Sequence, residues 1–226
     1  MRSFFIICIG ITVVSGVLIG NDRGYAGGSS SSSSEEHGHG HGHGRPPGPR
    51  PPRPPRPPAP PTTPQCPSDW MRFQRPHGVW CVKVFYQMAN QVTAEALCQS
   101  RGATLSGLQN ANERMQIANQ GRILNAQNGG GLSEVWIGAK RRARCPTKPS
   151  CWPDDTFEWT DGHTVGTAGF HWAPQEPSNY GFQPCLELHI SVADGVAARY
   201  GYAHGDLDDQ YCPEVLKMYA CGKVPV

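Results

Sequence analysis

The length, composition and charge of this chain limit the class of protein it can be. It has 226 residues with 20 Lys or Arg and 18 Asp or Glu, so its formal net charge at pH 7 is +2. Residues 1–65 differ in composition from the remainder, which leaves about 160 residues for a folded core, the usual size of one domain. The nearly balanced charge, and arginines spaced by prolines with no aromatic residues among them, argue against nucleic acid as a partner.

The N-terminus has the composition of a secretory signal peptide. Arg2 precedes an apolar run at 4–19, as in the charged and hydrophobic regions of such peptides. We therefore expect residues 1–20 to be a signal peptide and the mature chain to be secreted and extracellular, without a membrane span. Cleavage after Gly20 and cleavage after Ala26 fit equally well. An uncleaved anchor is less favoured, because the run falls short of about 20 apolar residues.

Residues 21–65 are expected to form a disordered arm. They contain a serine tract, an alternation of glycine and histidine, and a proline-rich part with interspersed arginines. From 27 to 64 no apolar side chain is large enough to seed a core, so the segment cannot offset the entropy lost on ordering. The proline-rich part should extend as polyproline II, at about 3.1 Å per residue, and act as a spacer.

Four histidines of the arm are potential ligands for a metal ion: His37, His39, His41 and His43. Neutral imidazole is a good ligand for copper and zinc. Because glycine separates the histidines, they are not preorganised. We therefore expect weak, adventitious metal binding in the arm and no dedicated site.

Eight of the nine cysteines lie in the core, an even number that indicates four disulfides in an exported domain. They are Cys66, Cys81, Cys98, Cys145, Cys151, Cys185, Cys212 and Cys221. A zinc site is disfavoured, because none of the spacings is the close Cys-x-x-Cys pair that such sites use. Spacing alone leaves on the order of 100 ways to pair the eight.

Short segments rich in β-branched and aromatic residues predict strands, and two segments between the first two strands predict helices. The expected strands are 79–86, 135–137, 156–160, 185–190 and 217–221. The first helix should begin at a cap formed by Thr93 and stop at Gly102, and the second should begin at Asn110 or Asn112. Frequent glycine, proline and aspartate from Gly129 onwards predict long loops. This order of elements predicts an α+β fold.

The short motifs of the core resemble, in the same order, those of C-type lectin domains. They include Cys66-Pro-Ser-Asp-Trp70, Ala94-Glu-Ala-Leu-Cys98, Trp136-Ile-Gly138 and Glu158-Trp-Thr-Asp-Gly162. The resemblance spans 66 to about 223, so 66–226 is expected to be one C-type lectin domain. It implies a C-type lectin fold with two helices, short antiparallel strands and a long-loop region, stabilised by disulfides.

The resemblance also implies how the cysteines pair. The implied disulfides are Cys66 with Cys81, Cys98 with Cys221, and Cys185 with Cys212, which leaves Cys145 for Cys151. The large aromatic residues Trp136, Trp159 and Trp172 are expected to pack in the core or under loops, and not to serve as ligand platforms.

A candidate calcium site lies in the loop at Glu176-Pro177 and at Asp208-Asp209. In sugar-binding members of the family, a Glu-Pro-Asn loop, a second Glu and an Asn-Asp pair bind calcium and two sugar hydroxyls. The resemblance implies that the metal ligands here are Glu176, Ser178, Gln183, Asp208 and Asp209, and that Glu176, Ser178 and Asp208 contact carbohydrate. Three of these are carboxylates, and calcium takes six to eight oxygen ligands, so we expect its binding to be weakened.

Both positions that would supply amide donors to a sugar are changed. Ser178 has one short hydroxyl donor, and Asp208 can only accept hydrogen bonds when it is ionised. A weak calcium site and a decayed site that retains Pro177 for its turn are therefore equally favoured. If sugar binds, the Glu-Pro pair resembles mannose-type members more than galactose-type members.

Three classes of function follow. The leading interpretation is a secreted carbohydrate-binding module that recognises a glycan or glycoprotein, with a role in surface or microbial recognition. The alternative is a calcium-independent protein-binding module on the same fold, which the changes at Ser178, Gln183 and Asp208 favour. An enzyme is not expected, because the sequence has neither a nucleophile elbow nor a His-Glu-x-x-His motif.

Overall fold

The computed structural model describes Gly48 and residues 63–226, apart from Pro149 and Gly181. The expected signal peptide, most of the expected arm and the four arm histidines lie outside the described residues. Within the described part, no helix combines the length and the apolar character needed to cross a bilayer.

The described residues form an eight-stranded sheet with helices packed against it. The strands are β1 (Met71–Arg75), β2 (Gly78–Ala89), β3 (Thr104–Leu105), β4 (Ser133–Arg141), β5 (Phe157–Trp159), β6 (Cys185–Ile190), β7 (Leu207–Gln210) and β8 (Leu216–Lys223). The helices are α1 (Gln91–Gln99), α2 (Ala111–Gln127) and the single-turn α3 (Pro153–Thr156), with a 3-10 turn at Arg199–Gly201. The strand order is β1-β2-β8-β4-β6-β7, with β3 beside β8 and β5 beside β4.

The sheet differs in two ways from the sequence-based prediction. Its strands pair antiparallel except for β4 and β8, which run parallel, so the sheet is mixed. β6 has the predicted limits, whereas β1, β3, β7 and the short α3 are additional to the predicted elements. The additional strands are short: β3 forms by pairing with the distant β8, which no local pattern reveals, whereas β1 forms a hairpin with the adjacent β2. The α+β class is as expected.

Asparagine side chains begin both long helices. α1 starts after Asn90, whose side-chain oxygen accepts a hydrogen bond from the backbone N–H of Thr93 at 2.9 Å. The prediction that Thr93 is the cap is therefore wrong: it lies in the first turn, and asparagine is the better capping residue. α2 starts after Asn110, as predicted, and the Asn110 side chain accepts from the N–H of Glu113 at 3.0 Å.

One core cluster lies between the sheet and α2, and a second includes buried residues of α1. Ile117 and Ala118 of α2 are fully buried. Gly121 lies so close to Val135 of β4 and Ile190 of β6 that an added Cβ would come within 3.2 Å of each side chain. α2 therefore packs directly on the two central strands that lead to the candidate site.

Trp136, Trp159 and Trp172 have the packing roles expected from the sequence. Trp136 is fully buried, and its indole N–H donates to the Ala89 carbonyl at 2.9 Å. The Trp159 ring stacks on Phe170 with centroids 4.2 Å apart, and Phe170 stacks on Trp172 at 5.3 Å. The aromatic stack supports the loop that precedes β6.

Four disulfides are present in the described residues, and they pair as the family resemblance implies. They are Cys66–Cys81, Cys98–Cys221, Cys145–Cys151 and Cys185–Cys212. The bond from Cys98 joins α1 to β8 across 123 residues, and the bond from Cys185 joins β6 to the segment after β7. The bond between Cys145 and Cys151 closes a loop with a separation of only 6 residues.

The loop 191–206 connects β6 to β7 and is attached to α2 through His204. The Nδ1 atom of His204 accepts from the backbone N–H of Ser191 at 3.2 Å, so Nε2 carries the ring proton and donates to Asn119 Oδ1 at 3.1 Å. Burial, and then the positive charge of Arg122, lower the pKa of His204 to about 4. The neutral ring is therefore the form that holds this loop.

Removing the long-range disulfide should destabilise the domain more than removing the short one. In the chain-entropy account, replacing Cys98 and Cys221 by alanine lowers the free energy of unfolding by about 5 kcal/mol for a separation of 123, and replacing Cys145 and Cys151 lowers it by about 2 kcal/mol for a separation of 6. Denaturant unfolding of the two double variants measures the difference. Equal losses would contradict the prediction, and non-reducing peptide mapping checks the pairing.

The domain should become less stable as the pH is lowered, in part because of His204. Its folded pKa of about 4 lies below the value of about 6.5 for a free histidine. The contribution of His204 to the free energy of unfolding is therefore present above about pH 6.5 and is lost as the pH falls towards 4. Between these values the unfolded chain binds a proton at His204 and the folded chain does not. Thermal melts of His204→Gln should show a weaker decline over this range than wild type. The exposed His171→Gln is the control, and parallel curves for His204→Gln and wild type would contradict the prediction.

Candidate functional site

Three carboxylates predicted to bind calcium lie together at one edge of the sheet. Asp208 and Asp209 are consecutive residues of the edge strand β7, which pairs with β6. Glu176 comes from the loop before β6 and precedes a cis peptide bond to Pro177. One oxygen atom from each carboxyl lies within 4.8 Å of the others. Residues separated by about thirty positions in the sequence thus form one acidic cluster, Glu176, Asp208 and Asp209.

Asp209 organises the loop that carries Glu176. It is fully buried, and its two carboxyl oxygens accept hydrogen bonds from the backbone N–H groups of Ser178 and Asn179, each at 2.7 Å. Two amide donors on one carboxylate hold successive residues of a loop in a fixed position. The loop is therefore attached to β7 directly after Pro177.

Arg141 is the cation of this site. It ends β4, its side chain is 3 % exposed, and it forms an ion pair with Asp209. Nε donates to the Gln183 carbonyl at 3.2 Å and Nη1 donates to the Cys145 carbonyl at 3.3 Å. Its Cζ atom lies 5.0 Å from the centroid of the Phe157 ring. A single side chain thus joins β4 to β7 and to two segments of the long-loop region.

Glu176 and Asp208 each have a buried carboxyl oxygen without a hydrogen-bond partner among the described residues. Glu176 accepts from the Tyr202 hydroxyl at 2.8 Å through Oε1, which leaves Oε2 unpartnered. Burial raises the pKa of Asp208, and the negative charge of Glu176 adds to this. Burial also acts to raise the pKa of Glu176, but hydrogen bonds, first that of Tyr202, outweigh it and leave the pKa below its usual value.

The acidic cluster has more negative charge than the protein around it neutralises. Burial raises the pKa of Asp209 to about 6, although the Arg141 guanidinium opposes the shift. When ionised, the three carboxylates exceed the one guanidinium by two negative charges. Charges withdrawn from water are costly unless they are paired. A divalent cation would balance this excess.

Ser178 and Gln183, the two neutral residues predicted as ligands, lie on the loop that borders the acidic cluster. Their side-chain oxygens, Ser178 Oγ and Gln183 Oε1, are 3.4 Å apart. The backbone N–H of Gln183 donates to Asn179 Oδ1 at 3.0 Å. The structure therefore groups Glu176, Asp208 and Asp209, with the two neutral side chains paired beside them.

The donor set of the acidic cluster fits a calcium ion. Calcium is bound by six to eight oxygens, from carboxylates, carbonyls and water. The unpartnered oxygens of Glu176 and Asp208 are available for coordination, and the excess negative charge favours a divalent cation. Asp209 is more constrained, because Arg141 and two backbone N–H groups already occupy its oxygens.

A cleft of about 460 Å³ opens beside the acidic cluster. Arg141 and Pro177 line it together with Trp152 and the disulfide loop that precedes α3. The Trp152 side chain is 84 % exposed, and Tyr180, in the loop after Ser178, is 86 % exposed. Exposed aromatic side chains next to a cleft supply apolar contact area to a ligand.

Three residues of the site are absent from the sequence-based set: Arg141, Tyr202 and Asn179. Arg141 is 68 residues from Asp209, and Tyr202 is 26 residues from Glu176, so no local pattern connects them. Asn179 directly follows the Glu-Pro-Ser motif, and its tendency to occupy turns is the one signal that could have indicated it.

Replacing Arg141 by Met should destabilise the domain by about 3–5 kcal/mol, because Asp209 is left as a buried carboxylate without its partner. The matched control is Arg144→Met, which removes the exposed Arg144–Asp155 pair, with side chains 58 % and 48 % exposed, and should cost less than about 1 kcal/mol. Denaturant unfolding of both variants measures the difference. Similar losses in the two variants would show that the Arg141–Asp209 pair does not organise the loop.

Solved structures with a similar fold are C-type lectin domains and relatives of that fold. The chain is similar to the C-type lectin CEL-I from Cucumaria echinata, with a TM-score of 0.50 and 21% identity over 70% of this chain and 96% of that chain. It is also similar to the carbohydrate-recognition domain of cow CD23 in the presence of GlcNAc2Man3 oligosaccharide (TM-score 0.48, 16% identity, 73% and 99% covered). A calcium-independent type II antifreeze protein matches with a TM-score of 0.48 and 21% identity over 73% and 98% of the two chains. No curated protein matches this chain.

A family model also matches the chain directly. Its description is C-type lectin domain-containing protein 141/158, and it matches residues 71–220. The matched region includes α1, α2 and the three carboxylates of the acidic cluster. The match and the fold confirm the resemblance seen in the short motifs. This chain therefore belongs to the C-type lectin domain family.

Proposed function

We propose that this chain is a secreted glycan-binding module that holds its ligand through a calcium ion. The observation that carries the proposal is the pair of buried oxygens, Glu176 Oε2 and Asp208 Oδ1, that lack a partner among the described residues. Buried polar atoms of folded proteins are ordinarily satisfied, so a bound cation is a suitable partner for them. Membership of the C-type lectin domain family makes a binding module the expected class, and no enzymatic activity is proposed.

The residues of the acidic cluster have separate roles in this proposal. Glu176 and Asp208 coordinate the ion through their unpartnered oxygens. Asp209 keeps the loop in place by accepting two backbone N–H groups at 2.7 Å, and Tyr202 orients Glu176 by its hydrogen bond at 2.8 Å. When bound, calcium supplies a centre to which sugar hydroxyls can coordinate.

The proposed ligand is a mannose-type glycan of a glycoprotein or a microbial surface. The Glu176–Pro177 pair is the feature that resembles mannose-type members of the family. Because Ser178 offers one hydroxyl donor in place of an amide, the affinity of a single site is expected to be low. A surface that presents many copies of the glycan compensates for weak single contacts. Tyr180 and Trp152 add exposed aromatic area beside the site.

The proposed location outside the cell rests on the disulfides and the N-terminus. Four disulfides within the described domain fit an oxidising compartment. The first twenty residues have the composition of a secretory signal peptide.

A calcium-independent protein-binding module is the second candidate. The observation that favours it is the ion pair of Arg141 with Asp209, because this pair and two loop N–H groups hold the loop without an added ion. The exposed aromatic side chains Trp152, Tyr180 and Phe182 would then contact a partner protein. The two candidates differ in their response to a chelator.

Replacing Glu176 by Gln should weaken calcium binding at least about tenfold, because a neutral amide does not compensate the ion's charge. Calorimetry with calcium and retention on a mannose-type glycan surface measure the effect on the secreted protein. The matched control is Glu158→Gln, which removes an exposed carboxylate paired with Lys140 at 3.1 Å and should leave both measurements unchanged. Introducing Ser178→Asn, Gln183→Glu and Asp208→Asn together should strengthen calcium binding and restore amide donors.

Two results would contradict the calcium-dependent lectin. One is equal retention of the wild-type protein on the glycan surface in excess chelator. The other is unchanged calcium affinity in Glu176→Gln when its unfolding curve matches that of Glu158→Gln. Either result makes the calcium-independent protein-binding module the better account.

A further inference from the structure

A second cluster of titratable side chains lies beside the acidic cluster and consists of Glu134, Glu187 and His189. Glu134 of β4 is directly opposite His189 of β6, and Glu187 lies two residues before His189 on the same face of the strand. One ligand atom of each residue lies within 4.8 Å of the others. The proposed calcium site uses none of these three side chains.

These side chains are buried, and several of their polar atoms have no hydrogen-bond partner among the described residues. The exposed fractions are 6% for Glu134, 1% for Glu187 and 0% for His189. Neither ring nitrogen of His189, nor Oε1 of Glu134, has a hydrogen-bond partner in the described part of the chain. A fully buried imidazole with no hydrogen bond is costly, and such groups normally have a partner. The described protein atoms do not supply one here.

The spacing of His189 and Glu187 is that of two ligands of one ion. His189 Nε2 and Glu187 Oε1 are 3.4 Å apart, but their geometry does not form a hydrogen bond between the described residues. Two ligand atoms that each lie about 2.0–2.2 Å from a tetrahedral zinc ion are separated by about 3.4 Å. The separation therefore suits a shared metal ion.

The negative charge of the carboxylates around the cluster also favours a bound cation. Asp208, opposite Glu187 on β7, places its Oδ2 atom 3.8 Å from His189 Nε2. The guanidinium of Arg199 remains 3.9 Å from Glu134 Oε1 and is partly exposed. A divalent ion would balance the carboxylates that face His189.

We propose that Glu134, Glu187 and His189 bind a zinc ion. An imidazole nitrogen with two carboxylate oxygens is a ligand set that zinc uses, whereas calcium and magnesium prefer oxygen alone. The ion links β4 to β6. The Tyr202 ring, 4.9 Å from the His189 ring, covers the cluster from the loop 191–206. The zinc site therefore lies next to the calcium site but is formed by other residues.

The arm histidines must be removed before this zinc site can be tested. The four imidazoles of the arm are also potential zinc ligands, and we expect them to bind zinc weakly. The background protein is therefore the secreted chain with His37, His39, His41 and His43 changed to Gln. Equilibrium dialysis against zinc gives its stoichiometry and affinity, and cobalt, whose visible absorption reports its coordination, is the spectroscopic probe.

We expect the background protein to bind one zinc ion and to melt at a higher temperature with zinc than without it. His189→Gln and Glu134→Gln should each weaken zinc binding at least about tenfold, because each removes a direct ligand. Replacing residues that only hydrogen-bond to a ligand already lowers metal affinity by about that factor. The cobalt absorption should be lost in both variants. His171→Gln, which changes an exposed imidazole, should retain the zinc affinity of the background. Glu176→Gln should retain it too, which separates this site from the calcium site.

Three results would overturn the zinc site. The first is a background protein that binds no zinc above the level of a control protein without histidine clusters. The second is unchanged zinc affinity in both His189→Gln and Glu134→Gln. The third is loss of zinc binding in Glu176→Gln with retention in Glu134→Gln, which would assign the ion to the acidic cluster. Circular dichroism of each variant verifies that it is folded, and Glu134→Gln, which conserves side-chain shape, tests the site if His189→Gln does not fold.

Discussion

The ion pair between Arg141 and Asp209 is the interaction on which the candidate site depends. Arg141 is also bonded to the Gln183 and Cys145 carbonyls, and Asp209 is also bonded to the two N–H groups that follow Pro177. Long loops do not hold one conformation without such attachments, because ordering each residue costs entropy. The buried pair therefore converts an irregular segment into a defined wall of the site.

The same pair sets the chemistry of the acidic cluster. Both oxygens of Asp209 hold the loop, so the proposed ion ligands are Glu176 and Asp208, each of which has a buried oxygen without a partner among the described residues. Arg141 neutralises one of the three carboxylates and leaves an excess of two negative charges. This division of roles explains how the site can lack the family's second glutamate, at Gln183, and still have the charge that suits a divalent cation.

The buried charges around Arg75 are satisfied by protein atoms, unlike those in the cluster of Glu134, Glu187 and His189. Arg75 is buried at the end of β1 and pairs with both Glu113 and Asp161, the latter at 3.1 Å. That network is satisfied by protein atoms alone, as buried polar networks generally are. The ring nitrogens of His163 also lack hydrogen-bond partners, but His189 additionally has two carboxylates whose ligand atoms lie within 4.8 Å, an arrangement that a bound ion would satisfy.

The sequence by itself determined the α+β class, the eight core cysteines and the limits of β6, and it narrowed the cap of α2 to Asn110 or Asn112, because strand composition, helix capping and cysteine count are local or compositional signals. Through short motifs it also indicated the C-type lectin family. Only the tertiary structure decided that Arg141 neutralises Asp209, that Tyr202 holds one oxygen of Glu176, and that cross-strand register sets Glu134 against His189. These contacts join residues tens of positions apart through sheet pairing and loop packing. A local sequence pattern does not predict which distant side chains come into contact.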